Sequence, residues 1–394
     1  MHPTTLTEQR SRRHGWTVIG AFALLAAATQ LLWLTYAPIT TGTAHHYRVS
    51  ESAVGWLSEI YPLVYVALAL PAGKVLDRSL HRGLGAGAIV TVIGGLLRLG
   101  GDDFAWALAG QCLVAVAQPL VLGSITKLAD ERLSEGERHA GIATGSAGMM
   151  VGMLLALVLG AALGGGRIPV LLIIGAVFAA LAGAAVLAAL RLPGAATGAV
   201  AARRPLRSLW SDGQVRVLAG LAFVGFGVFI ALATWLQALL GHYHVSASAA
   251  GAVLVAMVLL GALGSAVLAP AAITRGAEQR LLGASIVAGI SGSVVLAVVH
   301  VLAVDAVILA VMGMLLLTDL PVILELAERR AGGDGGTVAA LMWLAGNAGG
   351  LVVAVLVQAL VRHPVPAFLL LAACGSAAIP LVGRLVAGPS VVAA

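Results

Sequence analysis

The sequence predicts an all-α integral membrane protein in which twelve transmembrane helices form two pseudo-symmetric bundles of six. Of its 394 residues, 60% are hydrophobic and only 10% are charged, whereas about a quarter of the residues of a soluble domain are charged. So few charged groups cannot cover a surface in water, and lipid is therefore expected around most of the chain. Long apolar runs and an internal repeat are the second and third observations.

Twelve apolar runs are long enough to cross a bilayer, which takes about 20 residues in a helix. The first run follows Arg10, Arg12 and Arg13, an arrangement that resembles a signal peptide. Its length of about 22 residues favours an uncleaved transmembrane helix instead. The runs lie at residues 16–37, 53–73, 84–101, 105–126, 140–163, 168–190, 217–240, 249–269, 281–301, 306–324, 337–360 and 367–388.

The longest polar connection falls between the sixth and seventh runs and is rich in Gly, Ala, Pro and Arg. It divides the chain into two halves with six runs each. The predicted domains are therefore an N-terminal six-helix bundle of residues 1–190, a cytoplasmic linker of residues 191–216 and a C-terminal six-helix bundle of residues 217–394.

Lys and Arg residues are distributed unequally between the two predicted sides of the membrane. Four of the 23 lie on one side or at its margin, and the other 19 lie in connections on the opposite side. Since cytoplasmic loops carry the excess of positive charge, both termini are expected in the cytoplasm of a multi-pass plasma-membrane protein. The net charge of +6 belongs to these loops and does not indicate a nucleic-acid partner.

An internal repeat lies in the connections after the first and seventh runs. Residues 46–55 and 242–251 are identical at seven of ten positions. Both segments occupy the same place in their half, which makes a chance match a poor explanation. We therefore expect two parallel six-helix halves with a solute site near the midplane between them, as in transporters built from repeats.

The connection between the second and third runs resembles the signature of the major facilitator superfamily, in which a Gly precedes an Asp-Arg pair and further basic residues. A second element, with an acidic residue before an Arg, stands between the fourth and fifth runs. The resemblance implies a tight turn and a charge network that locks helix ends, and a solvated charged loop is the alternative. The matching residues are Gly73, Asp77, Arg78, Arg82, Glu137 and Arg138.

Residues 30–150 are similar to the feline leukaemia virus subgroup C receptor-related branch of that superfamily. The similarity rests on the segments 33–39, 47–50 and 56–58, on Tyr61, Tyr65 and Pro71, and on the pairs 110–111, 117–118 and 122–123. It implies choline, related amines or haem as substrates, with Trp33 where the branch's Trp contacts the ligand ammonium. A Trp face is the best side-chain surface for a quaternary cation. The branch also has a ligand-binding Gln in its fifth helix, whereas the fifth run here reads Gly-Met-Met-Val-Gly at the corresponding place.

Two carboxylates fall inside apolar runs, where ionisable groups are costly and mark functional sites. Glu59 in the second run and Asp319 in the tenth are the candidates for proton coupling, and Glu59 is the favoured one. The alternative for Glu59 is a carboxyl group hydrogen-bonded to a neighbouring helix. For Asp319, the Leu-Pro pair that follows favours a structural role near a helix break. Arg98 and Asp102 have the i, i+4 spacing of a structural ion pair.

Neutral polar and aromatic residues inside the runs are the substrate-binding candidates. Hydrogen bonding between helices is the alternative for the amides, and anchoring in an aromatic belt is the alternative for the Trp of the seventh run. Glycines spaced by three and four in the fifth run, from Gly141 to Gly152, are expected to allow close helix packing. The substrate-binding candidates are Gln30, Trp33, Tyr36, Gln118, Trp235, Trp343 and Asn347.

Together these features predict a monomeric secondary active transporter that moves a small organic solute, cationic or amphipathic, by alternating access with proton coupling. The alternatives are a proton-driven multidrug efflux antiporter and, in a different class, an integral-membrane enzyme or lipid-handling protein. An ATP-driven pump is not expected, because the sequence has no phosphate-binding Gly-rich loop. No cofactor, metal or catalytic residue is expected. The expected partners are the solute, protons and the lipid bilayer.

Overall fold

The computed structural model of the protein describes residues 3–193, 206–331 and 335–385. Within these ranges twelve helices are long and apolar enough to cross a membrane. This confirms the predicted all-α membrane fold. Residues 194–205, which belong to the predicted linker, lie outside the described residues.

The chain divides into two compact units. The first comprises Met1–Tyr36 and Gly42–Val200, and the second comprises Ala37–Thr41 and Ala201–Ala394. The division falls within the polar connection between the sixth and seventh runs. The limits of the domains and the linker at residues 190 and 217 stay a prediction.

The first helix is longer than its apolar run, because it begins at Pro3 and therefore includes the basic residues that precede the run. The second run is also extended at both ends, since its helix begins at Glu51 and ends at Arg78. The helices of this part of the chain are α1 Pro3–Leu34, α2 Thr40–Tyr47, α3 Glu51–Arg78, α4 Leu80–Leu97, α5 Phe104–Leu122, α6 Ile125–Arg132, α7 Arg138–Leu163 and α8 Ile168–Ala189.

The second part of the chain departs from the apolar runs most clearly at the tenth. Its helix continues through Pro321, so the predicted helix break beside Asp319 is wrong. The helices here are α9 Leu206–Trp210, α10 Gly213–Gly241, α11 Ala247–Thr274, α12 Glu278–Val298, α13 Leu302–Ala331, α14 Gly335–Ala359, α15 Pro364–Ser376 and α16 Ile379–Gly383.

The internal repeat builds the same helix end twice. Arg48 and His244, at the third position of each copy, adopt left-handed φ angles of 55° and 61°. The N–H of the next residue, Val49 or Val245, then closes a hydrogen bond of 3.0 or 3.3 Å back to the preceding helix. This is how helices commonly end, with a left-handed residue that turns the chain back on its last carbonyls.

The repeat also starts the following helix twice. Ser50 and Ser246 are the N-cap residues of α3 and α11. Their hydroxyl oxygens accept hydrogen bonds of 3.1 and 3.3 Å from the backbone N–H three residues later. A serine N-cap satisfies one of the orphan donors of the first helical turn. The sequence identity of the two copies therefore encodes a shared turn between successive membrane helices.

Glycines set the closest helix contacts in both units. Gly148 and Gly152 of α7 lie so close to the backbone of Ala23 and Ala27 in α1 that a Cβ on either glycine would overlap it. Gly349 of α14 lies in the same way against the backbone of α10. The predicted packing role of the glycines in the fifth run is therefore seen for these two residues.

Candidate functional site

An aromatic pair lies inside the first unit, where α1 packs against α3. The rings of Trp33 and Tyr61 stack with centroids 6.0 Å apart and an interplanar angle of 28°. The indole N–H of Trp33 donates a 2.9 Å hydrogen bond to the carbonyl oxygen of Ser58. That carbonyl lacks its usual helical donor, because Pro62 stands four residues later and has no N–H. The proline thus creates the acceptor that fixes the orientation of Trp33.

A buried glutamine continues this cluster into α5. Gln111 is fully buried and donates from Nε2 to the carbonyl oxygen of Leu57 at 2.9 Å. Its Oε1 accepts a longer hydrogen bond of 3.4 Å from the hydroxyl of Tyr61. The amide and the phenol are therefore oriented by each other, and buried polar groups that are paired in this way rigidify a core.

Arg98 lies at the end of this cluster and does not form the predicted ion pair with Asp102. Its guanidinium carbon is 5.1 Å from the ring centroid of Tyr36, and its Nη1 donates to the carbonyl oxygen of Leu32 at 3.2 Å. The prediction of the pair is wrong because α4 ends one residue before Arg98, so the helical spacing does not apply. Asp102 instead lies 2.7 Å from Nε2 of His46.

Two of the predicted amide ligands are buried in the first unit, and each has one polar side-chain atom without a hydrogen-bond partner among the described residues. Gln30 is 2% exposed and Gln118 is 3% exposed. Within the described part of the chain, Nε2 of Gln30 and Oε1 of Gln118 have no hydrogen-bond partner. Buried side-chain donors and acceptors are nearly always paired, so each of these atoms is available to a water or a solute.

The two predicted proton-coupling carboxylates lie in different units. Glu59 is fully buried in the interior of α3. Asp319 is 6% exposed in the interior of α13, and its Oδ1 accepts a 2.6 Å hydrogen bond from the hydroxyl of Ser285 in α12. Sequence reasoning missed Ser285, because nothing in its own apolar run marks it as facing Asp319.

A small cavity opens beside Asp319 within the second unit. Its walls are apolar apart from Asp319 and Ser285, and none of the other residues that line it is ionisable. The space open to the centre of a water molecule is about 20 Å³, which is room for about one water. A Cβ on Gly225 would lie 3.4 Å from Oδ2 of Asp319, so the glycine keeps this side of the carboxyl group uncrowded.

The aromatic candidates of the second unit are held by helix contacts. Trp235 is fully buried and donates from Nε1 to the carbonyl oxygen of Ala354 at 3.0 Å. Because the side chain is fully buried in the protein, Trp235 does not serve as an anchor in an aromatic belt at the lipid surface. Trp343 is half-buried and packs edge-on against Phe226, with centroids 5.8 Å apart. Asn347 donates from Nδ2 to the carbonyl oxygen of Trp343 at 2.9 Å, within its own helix.

The residues of the predicted charged loop lie on a helix. α3 continues to Arg78, so Gly73 and Asp77 are helical and the turn is made by Ser79. The connection is therefore shorter than expected, with its tight turn at Ser79, and a Cβ at Gly73 would have no atom within 4 Å. The apolar run stops earlier only because the last helical turns are charged. Asp77 forms an ion pair with Lys127 at the start of α6.

The second acidic element joins the start of α7 to α1. Oε1 of Glu137 accepts hydrogen bonds from Nε of Arg12 at 2.6 Å and from Nε1 of Trp16 at 3.0 Å. Arg138 lies 3.5 Å from Asp130 of α6. The charged residues therefore tie together several helix ends on one side of the first unit.

Arg132 anchors the same side of the first unit. It donates from Nη1 to the carbonyl oxygen of Leu192 at 2.8 Å and from Nη2 to Nε2 of His81. Burial lowers the pKa of Arg132 from its ordinary value. Ser79, which caps α4, accepts a 3.3 Å hydrogen bond from the backbone N–H of Arg82. The connection between α3 and α4 is therefore held from both its backbone and its side chains.

Sequence reasoning missed a second proline-created acceptor. In α13, Pro321 leaves the carbonyl oxygen of Leu317 without its helical donor, and Ser265 of α11 donates to that oxygen at 2.8 Å. The signal that points to both sites is a proline inside a long apolar run. The carbonyl group of the residue four positions before the proline has no helical donor and needs one from another helix.

Comparison with known proteins agrees with this architecture. The model of the Major Facilitator Superfamily matches residues 18–354. The chain belongs to the major facilitator superfamily. This membership favours a transporter over the integral-membrane enzyme considered as an alternative.

Solved structures of superfamily members share the fold across almost the whole chain. A bacterial homologue of the human lysosomal transporter Spinster aligns with a TM-score of 0.70 and 16% identity, covering 94% of this chain and 95% of that one. The Escherichia coli fucose:proton symporter FucP aligns with a TM-score of 0.66 and 16% identity, covering 94% and 98%.

Curated relatives within the superfamily match a shorter stretch. Solute carrier family 49 member A3 of Xenopus tropicalis is 28% identical over 159 residues, which is 37% of this chain and 33% of the relative. The human choline/ethanolamine transporter FLVCR2 is 29% identical over 131 residues, which is 32% of this chain and 25% of the relative. The matched stretches thus span a third or less of these relatives, and they confirm the resemblance to the subgroup C receptor-related branch.

Proposed function

We propose that this protein is a secondary active transporter that moves a small organic solute across the plasma membrane by alternating access, as a monomer. The superfamily membership and the shared fold support transport. The aromatic pair of Trp33 and Tyr61 supports a small solute with a cationic or apolar body, because its rings are held in a fixed orientation by Ser58 and Gln111. Relatives named as choline/ethanolamine transporters have small amines as their solutes.

The observation that carries this proposal is the hydrogen bond from Trp33 to Ser58, since it satisfies the only polar group of the indole and leaves the ring face that Tyr61 does not cover for contact with a solute. A preformed aromatic face binds a quaternary ammonium or an apolar group without an ordering cost. The remaining substrate-binding candidates, Tyr36, Gln30 and Gln118 in the first unit, would add polar contacts. In the second unit Trp235, Trp343 and Asn347 stay proposals of the same kind.

The test is solute counterflow in proteoliposomes with a panel of radiolabelled amines, amino acids and amphipathic acids. Trp33→Ala should abolish counterflow of the transported solute, and Trp33→Phe should weaken it. The matched control is Trp106→Ala, since Trp106 lies in the same unit and is 40% exposed. If Trp33→Ala and Trp106→Ala transport equally well, Trp33 does not contact the solute. If the unmodified protein moves no solute in any assay, the transporter function is refuted.

Proton coupling is proposed for Glu59 and Asp319. Both carboxyl groups are buried in membrane helices, where an ionisable group is costly and for that reason marks a functional site. The cavity beside Asp319 supports a coupling role for that residue. It has room for about one water, and a water next to the carboxyl group can pass a proton to it or accept one from it. Glu59→Gln and Asp319→Asn should each remove the dependence of uptake on a pH gradient. Asp103→Asn, at an exposed position, is the control, and a variant that keeps the full gradient dependence removes its residue from coupling.

The charged side of the first unit supports cytoplasmic termini. Arg12, Lys127, Arg132 and Arg138 lie there, and positive charge marks the cytoplasmic side of a membrane protein. Cysteines introduced at Ser134 and at Ser248 should react with an impermeant reagent from opposite sides of the membrane. Labelling of Ser134→Cys in intact cells would contradict this orientation.

A further inference from the structure

Arg98 is the most deeply buried cation among the described residues, with 1% of its surface exposed. Its side-chain stem passes over Gly110 of α5, where a Cβ would overlap it. Its guanidinium face lies over Tyr36. Its Nη1 caps the end of α1 through the carbonyl oxygen of Leu32, which is one of the last carbonyls of that helix and has no helical donor. The guanidinium is therefore fixed in orientation by α5, the end of α1 and the turn that follows α1.

The other edge of this guanidinium is buried and unpaired. Nε and Nη2 of Arg98 have no hydrogen-bond partner among the described residues. These two nitrogens carry parallel N–H bonds on one edge of the group, and that edge binds both oxygens of a carboxylate in a bidentate pair. A buried donor pair without an acceptor is costly, and a buried charge without a counter-charge is more so.

No carboxylate of the described residues supplies this partner. Arg98 forms no ion pair with any of the described residues. Asp102, the acid nearest to it in sequence, pairs with His46 instead. The ring of Tyr36 and the carbonyl oxygen of Leu32 offset part of the positive charge. A full negative charge is the missing partner.

We propose that the Nε–Nη2 edge of Arg98 binds a carboxylate group of the transported solute. The substrate class is then an amphipathic or zwitterionic carboxylate, rather than a simple cation, whose apolar or ammonium body lies against the aromatic cluster of Trp33 and Tyr61. Arg98 donates to the carbonyl oxygen of Leu32, the residue before Trp33, and its stem passes over Gly110, which lies in α5 with Gln111; these contacts place the cation beside that cluster. This inference rests on the proposed transport function and names the solute class for it.

The first test uses the unmodified protein and matched ligands. Glycine betaine and choline share a trimethylammonium group, and only betaine has a carboxylate; 3-phenylpropionate and 3-phenylpropylamine form a second pair. Ligand-induced shifts of the melting temperature give the affinity of each compound by mass action. The carboxylate of at least one pair should bind about tenfold more tightly or better, as for a charge-assisted bidentate bond. Equal shifts, or no shifts, within both pairs overturn the proposal.

The second test locates the effect at Arg98. Arg98→Gln and Gly110→Ala, which displaces the arginine stem, should reduce the carboxylate preference to about onefold. Arg167→Gln is the matched control, because Arg167 is exposed in the same unit. A carboxylate preference that survives in Arg98→Gln overturns the proposal, as does its loss in Arg167→Gln. Counterflow of choline without any carboxylate preference would refute this inference and leave transport intact, whereas absence of counterflow for all solutes would refute the proposed function.

Discussion

The carbonyl oxygen of Ser58, which Pro62 leaves without a helical donor, allows a quantitative prediction of how substitutions at positions 33 and 62 affect the stability of the first unit. Trp33→Phe keeps an aromatic ring but removes the indole N–H that donates to the Ser58 carbonyl oxygen. In the unmodified protein that carbonyl has no other helical donor, since Pro62 lacks an N–H. In the Pro62→Ala background the new N–H of residue 62 can restore the ordinary helical hydrogen bond. The cost of Trp33→Phe should therefore depend on which residue stands at position 62.

The magnitude follows from the cost of a buried unsatisfied carbonyl, about 1–3 kcal/mol. Trp33→Phe alone should lower stability by that amount plus a smaller packing loss. With Ala at position 62, only the packing loss should remain, so the coupling between the two substitutions should be at least about 1 kcal/mol. For a unit of this size, about 1 kcal/mol corresponds to about 2–4 °C in melting temperature.

The chain has a convenient reporter for this measurement. Its two cysteines are free and partly buried, with Cys112 in the first unit and Cys374 in the second. In a Cys374→Ser background, a thiol-reactive dye reports thermal unfolding of the first unit alone. Melting temperatures of the four proteins of the cycle then give the coupling. A coupling below about 0.3 kcal/mol, the usual scatter of additive sites, would refute the reasoning. Ser265→Ala with Pro321→Ala provides an independent second cycle.

Three further predictions concern packing and caps, each checked by the same melting assay. Gly152→Leu should destabilise the first unit by about 1–3 kcal/mol or prevent folding, because α7 lies against the α1 backbone at this position; an unchanged melting temperature would contradict that contact. Gly73→Ala should be neutral or stabilising by up to about 1 kcal/mol, since a Cβ there meets no atom within 4 Å inside a helix, and a clear loss of stability would mean that a turn does form at this residue. Ser50→Ala and Ser246→Ala should each cost about 1 kcal/mol and by similar amounts, because both remove the same N-cap; a loss in only one would show that the repeat is not structurally equivalent.

Most of the fold was predictable because a membrane span is recognised from the hydropathy of about 20 residues together. One polar residue within such a stretch does not hide the span. Helix ends were less predictable, since the last turns carry charge. The helix that contains Asp77 therefore extends past its apolar run, and α4 stops before Arg98. The first error placed residues 74–78 in a connection instead of a helix, and the second paired Arg98 with Asp102. Both errors came from taking the end of an apolar run as the end of the helix.

The sequence by itself determined the membrane class, the twelve spans and the repeated turn at residues 46–55 and 242–251, because each depends on local composition or on neighbours a few residues apart. Only the tertiary structure decided the partners of the buried polar groups. Ser285 meets Asp319, Trp33 meets Ser58, and Arg98 leaves one edge of its guanidinium unpaired, through contacts between helices that are far apart in the chain. In lipid every such group must find its partner inside the protein, and the packing of helices, which the hydropathy pattern does not specify, chooses that partner.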